Sequence, residues 1–252
     1  MNKYLAKIFP FVFIHIIWYF LSYYVGVNLI PRPDMVWLHL GVLLFNGTIF
    51  LHAGFSLIRI AVAIGFALVI GVPLGVMAGA NKKMDKWFSP IVYLLYPIPK
   101  IAFLPVFIVL FGLGDLSKIM LLFTVLVFQL ILAARDGMKQ IPIEYHRVVN
   151  VLELSKKDKL LKLYLPSVLP SLFNSLRIGI GISLAVLFFC ENYATTYGIG
   201  YYIMSNWMMV NYVGMFAGIL ALSLLAAGLI TCVDLLEMKY CKWLIYEKKY
   251  IV

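Results

Sequence analysis

The feature that most constrains the fold of this sequence is a series of long stretches with almost no charged residues. Six of them are candidate membrane spans: residues 8–25, 54–80, 88–110, 119–134, 176–193 and 212–233. A helix of about 20 apolar residues crosses a bilayer. The 252 residues are 63% hydrophobic and only 13% charged, which is more apolar surface than a soluble domain of this size can bury. The sequence therefore predicts an all-α, polytopic membrane protein with six transmembrane helices.

The basic residues indicate how these spans are oriented. The formal net charge is +10, from 21 basic and 11 acidic residues. With six spans and a cytoplasmic N-terminus, all the basic residues except Arg32, Arg59, Lys100 and Lys118 fall on the cytoplasmic side, as the positive-inside rule expects. Both termini are therefore predicted to be cytoplasmic, and the charge is expected to contact anionic lipid, with no need for nucleic acid. Residues 35–52 are apolar but interrupted, and we expect them to form a helix along the outer face.

The longest predicted loop, residues 135–176, lies on the cytoplasmic side. Pro142 stands where a helix could begin. Ser155 is a candidate N-cap for a second helix over residues 156–165, which Pro166 and Pro170 are expected to end. A pair of short helices displayed in this way predicts a docking surface. The alternative is a loop that lies on the bilayer.

From about residue 51 to residue 207, the sequence resembles the permease subunits of binding-protein-dependent ABC importers, in the nitrate/sulfonate/taurine branch. That family carries a cytoplasmic EAA motif, E-A-A-x-x-x-G, followed by a Leu-Pro ending. Aligned on Leu165-Pro166, the motif falls on Arg147-Val148-Val149 and Glu153, and none of its four signature residues is kept. Other matching pieces occur in the family's order: Gly71-Val72-Pro73-Leu74-Gly75, Pro97-Ile98-Pro99-Lys100, Phe111-Gly112-Leu113-Gly114, Glu191 and Gly198-Ile199-Gly200-Tyr201.

The resemblance implies a MetI-like permease fold in the plasma membrane of a prokaryote, with a cytoplasmic coupling helix between spans four and five. It implies one permease domain over residues 1–252, with an N-terminal span and outer helix at 1–50, a core at 51–240 and the coupling loop at 135–176. The implied partners are two cytoplasmic ABC ATPases, a second permease copy in a homodimer, and an external solute-binding protein. The chain has no G-x-x-x-x-G-K-[ST] motif, so ATP and Mg are assigned to the partner and no catalytic residue, cofactor or metal to this chain.

The coupling residues implied by the aligned motif lie in the cytoplasmic loop. Tyr145 and Leu154 are expected to fill an apolar groove on the ATPase, and Glu144, Arg147 and Glu153 to make polar contacts. The full predicted set is Glu144, Tyr145, His146, Arg147, Val149, Glu153, Leu154 and Ser155.

The predicted translocation pathway rests on prolines and charges at membrane depth. Pro97, Pro99 and Pro105 interrupt the third span, and irregular backbone in a bilayer is tolerated where it lines a cavity or is buried by protein. A kinked packing helix is the alternative. Arg59, Lys100 and Glu191 are charged residues inside spans, where such residues usually face the protein interior. Arg59 or Lys100 could attract an anionic solute, while Glu191 is either a structural partner or a ligand contact.

Three other classes of protein remain as alternatives. A permease of the amino-acid or osmoprotectant branch would share the loop, and its external binding protein would choose the solute. A self-contained secondary transporter would be expected to show an inverted repeat, and none is visible. A membrane enzyme would need convergent His, Asp or Glu residues at membrane depth, and the single acidic residue inside a predicted span, Glu191, argues against it. The expected solute is small and either anionic, as nitrate, sulfonate or taurine are, or a cofactor precursor.

Overall fold

The computed structural model describes the backbone of residues 5–243 and side chains from residue 9 to residue 243. In that range the chain is helical. The elements are α1 (Leu5–Val25), α2 (Pro33–Phe45), α3 (Thr48–Ala80), α4 (Lys82–Leu95), a 3-10 turn (Lys100–Phe103), α5 (Leu104–Phe111), α6 (Asp115–Lys139), α7 (Ile143–Val151), α8 (Lys156–Lys159), a π turn (Leu160–Tyr164), α9 (Leu165–Cys190), α10 (Ile199–Met208) and α11 (Tyr212–Tyr240). Both termini, predicted as cytoplasmic, lie outside the described residues.

Four helices in the described part of the chain are long and apolar enough to cross a membrane. They are α3, α6, the continuous helix Lys156–Cys190 and α11. The pair α4 and α5 passes the same test as one broken span, which makes up to five. The predicted first span coincides with α1, whose 21 residues include Pro10. The prediction of several apolar spans is confirmed, and the number six stays a prediction.

The structure corrects the predicted outer-face helix over residues 35–52. The chain makes two elements there, because α2 ends at Phe45 and α3 begins at Thr48. Between them Gly47 takes φ +79°, a left-handed conformation that glycine adopts without steric cost. The second span, expected from residue 54, therefore begins six residues earlier. Hydrophobicity does not mark this boundary, since residues on both sides of the turn are apolar.

The structure also corrects the ends of the predicted 42-residue loop. Residues 135–139 still belong to α6, and the helix expected to stop at Pro166 continues from Lys156 to Cys190. The π turn explains this continuity. The Leu165 N–H bonds back five residues to the Leu160 carbonyl, a widened turn of the kind that accommodates a local break in the regular ladder. Pro170 likewise lies inside α9.

The contacts divide the chain into two compact units, Met1–Leu57 with Glu191–Leu225 and Ile58–Cys190 with Ala226–Val252. The predicted single domain of residues 1–252, with a core at 51–240, stays a prediction. In the first unit, Val36, Leu40 and Leu43 form one buried face of α2 that packs with Ala217 and neighbouring side chains. Tyr202 packs against this cluster, and burial raises the pKa of its phenol, which stays neutral.

In the second unit, α6 and α9 pack along their length, and α3 approaches α6 through glycines. Gly71, Gly75 and Gly79 recur every four residues, so they lie on one helix face. A Cβ at Gly75 would lie 2.4 Å from the Ile131 carbonyl oxygen, closer than real atoms approach. Small residues of this spacing allow the close backbone contact that holds helices together in a membrane.

Candidate coupling surface and translocation pathway

The helix α7 presents a strip of apolar side chains outward. Pro142 precedes its first residue, as predicted, with an extended conformation that leaves the first turn free of steric conflict. Tyr145, Val148 and Leu152 are exposed and spaced for one helix face, whereas Val149 points inward and is buried. An exposed apolar strip of this kind is typical of a surface that another protein covers.

The turn after α7 is set by Glu153. The helix predicted to begin at Pro142 ends at Val151, and Glu153 takes φ +48°, in the left-handed region. This is the position at which the aligned family motif carries glycine. The turn is closed by the Glu153 N–H to Asn150 O at 3.1 Å and the Leu154 N–H to Val149 O at 3.3 Å. The glutamate therefore preserves the turn at the cost of a conformation that L residues rarely adopt.

Ser155 is the N-cap of the following helix, as predicted. Its Oγ accepts the Asp158 N–H at 3.1 Å, which satisfies one of the free donors of the first turn. Two contacts then join this helix to α7: the Lys159 ammonium donates to Asn150 Oδ1 at 3.0 Å, and the His146 and Tyr164 rings lie 6.2 Å apart. Because Lys156–Cys190 is continuous, α7 is tied directly to a candidate span.

A groove of about 440 Å³ lies beside α7 in the second unit. Tyr145, Pro142 and Lys162 line it together with Trp243, and its opposite wall comes from Gly137 and the residues around Pro166. Of the predicted coupling residues, only Tyr145 faces this groove. Glu144, His146, Arg147, Glu153, Leu154 and Ser155 lie around α7 and its turn, outside the groove lining.

Two ion-pair clusters join helices of the second unit, and sequence reasoning missed both. Arg135 Nε lies 2.5 Å and Lys139 Nζ 2.6 Å from the Asp85 carboxylate, which joins α6 to α4. Arg177 pairs with Asp234 at 2.6 Å and with Glu237, which joins α9 to α11. The sequence shows Arg135 and Arg177 as basic residues at the border of an apolar run. Their acidic partners could not be inferred from it, because these lie 50 or more residues away in the chain.

The predicted pathway residue Arg59 is 3% exposed and bonds a carboxylate. Its guanidinium lies 2.7 Å and 2.8 Å from Asp115 Oδ1 through two nitrogens. Lys118, one turn along α6, is fully buried and donates to the Gly114 carbonyl at 3.1 Å. Arg59 and Lys118 therefore both bond groups at the start of α6. The partner of Arg59 within the protein is Asp115, whether or not Arg59 also contacts a solute.

Glu191, the other predicted charge, organises the turn before α10. Its carboxylate lies 2.8 Å from Ser56 Oγ and accepts the Gly200 N–H at 2.8 Å, while the Ile199 N–H donates to Ser56 Oγ at 2.9 Å. Gly198 takes φ +142°, and a Cβ there would lie 2.4 Å from the Glu191 carboxyl carbon. The Gly-Ile-Gly sequence thus wraps around the carboxylate, and Glu191 has structural partners. Its role in a pathway stays a prediction.

The interrupted third span is sharply bent. The axes of α4 and the segment Lys100–Phe111 differ by 81°, with Pro97 and Pro99 in the break and Pro105 in the first turn of α5. Lys100 closes the break: its ammonium donates to the carbonyls of Leu95 at 2.5 Å, Tyr96 at 3.2 Å and Ile98 at 2.9 Å. These carbonyls lack their helical donors because α4 stops there.

The break opens into a cavity of about 350 Å³ within the second unit. Its wall includes Pro99, Lys100, Phe128 and Gln129. Irregular backbone and a charged side chain therefore line an open space, which is the arrangement expected of a pathway. Pro99 and Lys100 are brought together at this cavity, while Pro97 and Pro105 flank it in sequence. Their role in a pathway stays a prediction.

The helical fold and its apolar spans define a multi-pass membrane protein. Residues 71–239 match the family described as "Binding-protein-dependent transport system inner membrane component", and the chain belongs to that family. The prediction of an ABC importer permease of the nitrate/sulfonate/taurine branch is confirmed. The family is one of multi-pass transport permeases, not of enzymes.

Several curated relatives resemble most of the chain. The putative aliphatic sulfonates permease SsuC of Bacillus subtilis is 28% identical over 219 residues, covering 87% of this chain and 79% of its own. The taurine permease TauC of Escherichia coli is 29% identical, covering 79% and 72%. The nitrate permease NrtB of Synechocystis is 33% identical over 148 residues, covering 59% and 54%.

A solved structure confirms the fold. A chain of the MetNI methionine ABC transporter, in an inward-facing conformation, superposes with a TM-score of 0.64 at 20% identity, covering 75% of this chain and 94% of the solved one. The predicted all-α, MetI-like permease fold is therefore confirmed.

Proposed function

We propose that this chain forms the translocation pathway of an ATP-driven importer with two cytoplasmic ATPases, a second copy of itself and an external solute-binding protein. Six spans would be α1, α3, the bent α4–α5 pair, α6, Lys156–Cys190 and α11. This count places both termini and α7 in the cytoplasm and α2 and α10 outside. The observation that carries the proposal is the exposed apolar strip of α7 in a chain without a phosphate-binding loop.

In this proposal α7 is the coupling helix that the ATPases move. Displacement of α7 passes into the membrane through the Asn150–Lys159 and His146–Tyr164 contacts, because the helix that carries Lys159 and Tyr164 continues as a span. The Arg177 ion pairs carry the motion from α9 to α11. Alternation between inward and outward openings then follows as a rigid-body movement of helices.

The proposed solute is a small anion. The relatives are named for sulfonates, taurine, nitrate and bicarbonate. Lys100 at the broken span supports this choice, and Arg59 is the weaker candidate because Asp115 already pairs with it. A zwitterionic solute of the amino-acid or osmoprotectant branch and a neutral cofactor precursor are the alternatives that an uptake panel separates.

The decisive experiment places a charge on the strip of α7. Tyr145→Glu in the reconstituted importer is expected to abolish solute uptake while the ATPases still hydrolyse ATP, because a carboxylate would be buried in the apolar contact. Ile143→Glu is the matched control: Ile143 is also exposed on α7 but lies two residues before Tyr145 and therefore on a different face, so this variant should transport normally. Unchanged uptake by the Tyr145 variant would show that α7 does not couple the two activities.

A further inference from the structure

The cavity at the broken third span has the size of a small-molecule site. Its volume of about 350 Å³ lies within the range of roughly 300–1,000 Å³ that ligand pockets occupy. Tyr96, Lys100, Phe128, Gln129, Ile182 and Val186 line it, so most of the wall is apolar, and Lys100 and Gln129 contribute nitrogen-bearing polar side chains to it. A mainly apolar pocket with a few polar groups is how proteins orient small ligands.

The first of these polar groups is a cation without a counter-charge. The Lys100 ammonium donates to three backbone carbonyls and lies 5.0 Å from the centre of the Phe128 ring. All of these partners are neutral, and no carboxylate among the described side chains of residues 9–243 forms an ion pair with it. A cation at membrane depth normally has an opposite charge beside it, so Lys100 makes this cavity favourable for an anion.

The second polar group is an amide without a partner. Gln129 on α6 is 9% exposed, and its Oε1 is buried with no hydrogen bond among the described residues. Buried amides are nearly always bonded, so an unpaired one in a cavity wall indicates a group that pairs with a ligand. Rotation of the amide presents its NH₂ donors at the same place, so an anion there accepts a hydrogen bond from Gln129. The three N–H donors of Lys100 already bond carbonyls, so Lys100 attracts the anion through its charge.

We infer that this cavity is an oxyanion-binding site of the permease itself, at which Lys100 neutralises the charge and Gln129 donates to an oxygen. The ligand class is a small oxyanion, such as a sulfonate, nitrate or bicarbonate, whose apolar part, where it has one, packs against Phe128 and Ile182. The inference rests on the proposed function and deepens it, because the solute would then be recognised a second time after the binding protein releases it. Discontinuous helices form solute sites in other transporters by a similar arrangement of helix ends and side chains.

The test measures binding of radiolabelled ethanesulfonate to the permease–ATPase complex in phosphatidylcholine nanodiscs without the binding protein. Gln129→Leu is the sharpest variant, because it removes an unpaired polar group and should leave the melting temperature unchanged or raise it. Loss of a hydrogen bond to a charged ligand is expected to weaken binding about tenfold. Lys100→Arg should retain binding that Lys100→Met loses.

Thr124→Val is the matched control, since Thr124 lies on the same helix and already bonds the Leu121 carbonyl. It should bind ethanesulfonate as the unmodified protein does, and nitrate and bicarbonate should compete. Equal binding by Gln129→Leu, or equal loss in Thr124→Val, would overturn the site. Binding that phosphatidylglycerol in the nanodisc abolishes would assign the cavity to a lipid headgroup and overturn it as well.

Failure of the two proposals can be told apart. An importer that takes up a solute with ATP but binds none of the three oxyanions without its binding protein would refute the cavity site alone. A reconstituted complex that shows no ATP-dependent uptake of any solute would refute the proposed function itself.

Discussion

The left-handed Glu153 predicts that glycine at this position stabilises the protein. A left-handed conformation costs a non-glycine residue about 1–2 kcal/mol. Glycine loses about 0.5–1 kcal/mol more backbone entropy on folding than alanine does. The expected net gain of Glu153→Gly over Glu153→Ala is therefore about 0.75 kcal/mol, the difference between the midpoints of these two ranges.

Glu153→Ala is the control that isolates the backbone from the carboxylate. The side chain of Glu153 is exposed, and the described residues give it no ion pair, so alanine should match glutamate in stability. For a chain of about 150–250 residues, 1 kcal/mol moves the melting temperature by about 2–4 °C, so Gly should melt about 1.5–3 °C above Ala.

Thermal unfolding of the purified permease measures this difference. Amide hydrogen exchange at Leu154 reports the same turn locally, because that N–H bonds the Val149 carbonyl. We expect slower exchange in the Gly variant than in the Ala variant. Identical melting temperatures and identical exchange in the two variants would refute the left-handed turn.

Two further predictions concern packing in each unit. Gly75→Ala should destabilise the protein by about 1–3 kcal/mol, because the new Cβ meets the Ile131 carbonyl. Gly65→Ala on the same helix has open space at its Cβ and should leave stability unchanged or raise it. Thermal unfolding compares the two variants, and equal melting temperatures would contradict the close approach of α3 to α6. Ser56→Ala should lower the free energy of unfolding by about 1–3 kcal/mol, because the Ile199 N–H and the Glu191 carboxylate lose a hydrogen-bond partner in a buried site. Ser223→Ala removes an exposed hydroxyl and should lower stability far less. A similar loss of stability in both variants would contradict the Ser56 network.

Much of the coupling surface around α7 could be predicted from the sequence, because its features depend on residues that are close together in the chain. Pro142 and Ser155 were predicted at helix starts because a restricted φ and a capping hydroxyl act within a few residues. The alignment placed Glu153 at the glycine of the family motif, and the structure gives it the backbone conformation that a glycine would favour. Helix periodicity indicates an apolar face on α7, but it does not show that Val149, a predicted coupling residue, is buried while Tyr145 and Val148 are exposed.

Other features had no local signal. Ser56 and Glu191 are 135 residues apart in sequence, and nothing near either residue indicates the other. Gln129 reads as one polar residue in an apolar run, and only the bend at Pro97 and Pro99 places it at a cavity with Lys100. Pro166 predicts a helix end, yet the π turn and the packing of α9 on α6 keep the helix continuous.

The amino-acid sequence is enough to show that this protein lies in lipid and to identify its class and its family. Hydrophobicity is a property of each residue, so long apolar runs require lipid whatever the chain folds into. Short motifs that occur in the same order as in a known family identify the relatives of the chain. Only the tertiary structure decided which charges pair, where the third span bends and which side chains share a cavity. Those depend on distances between residues far apart in the chain, and hydrogen bonds and ion pairs form only where packing brings their atoms within about 3 Å.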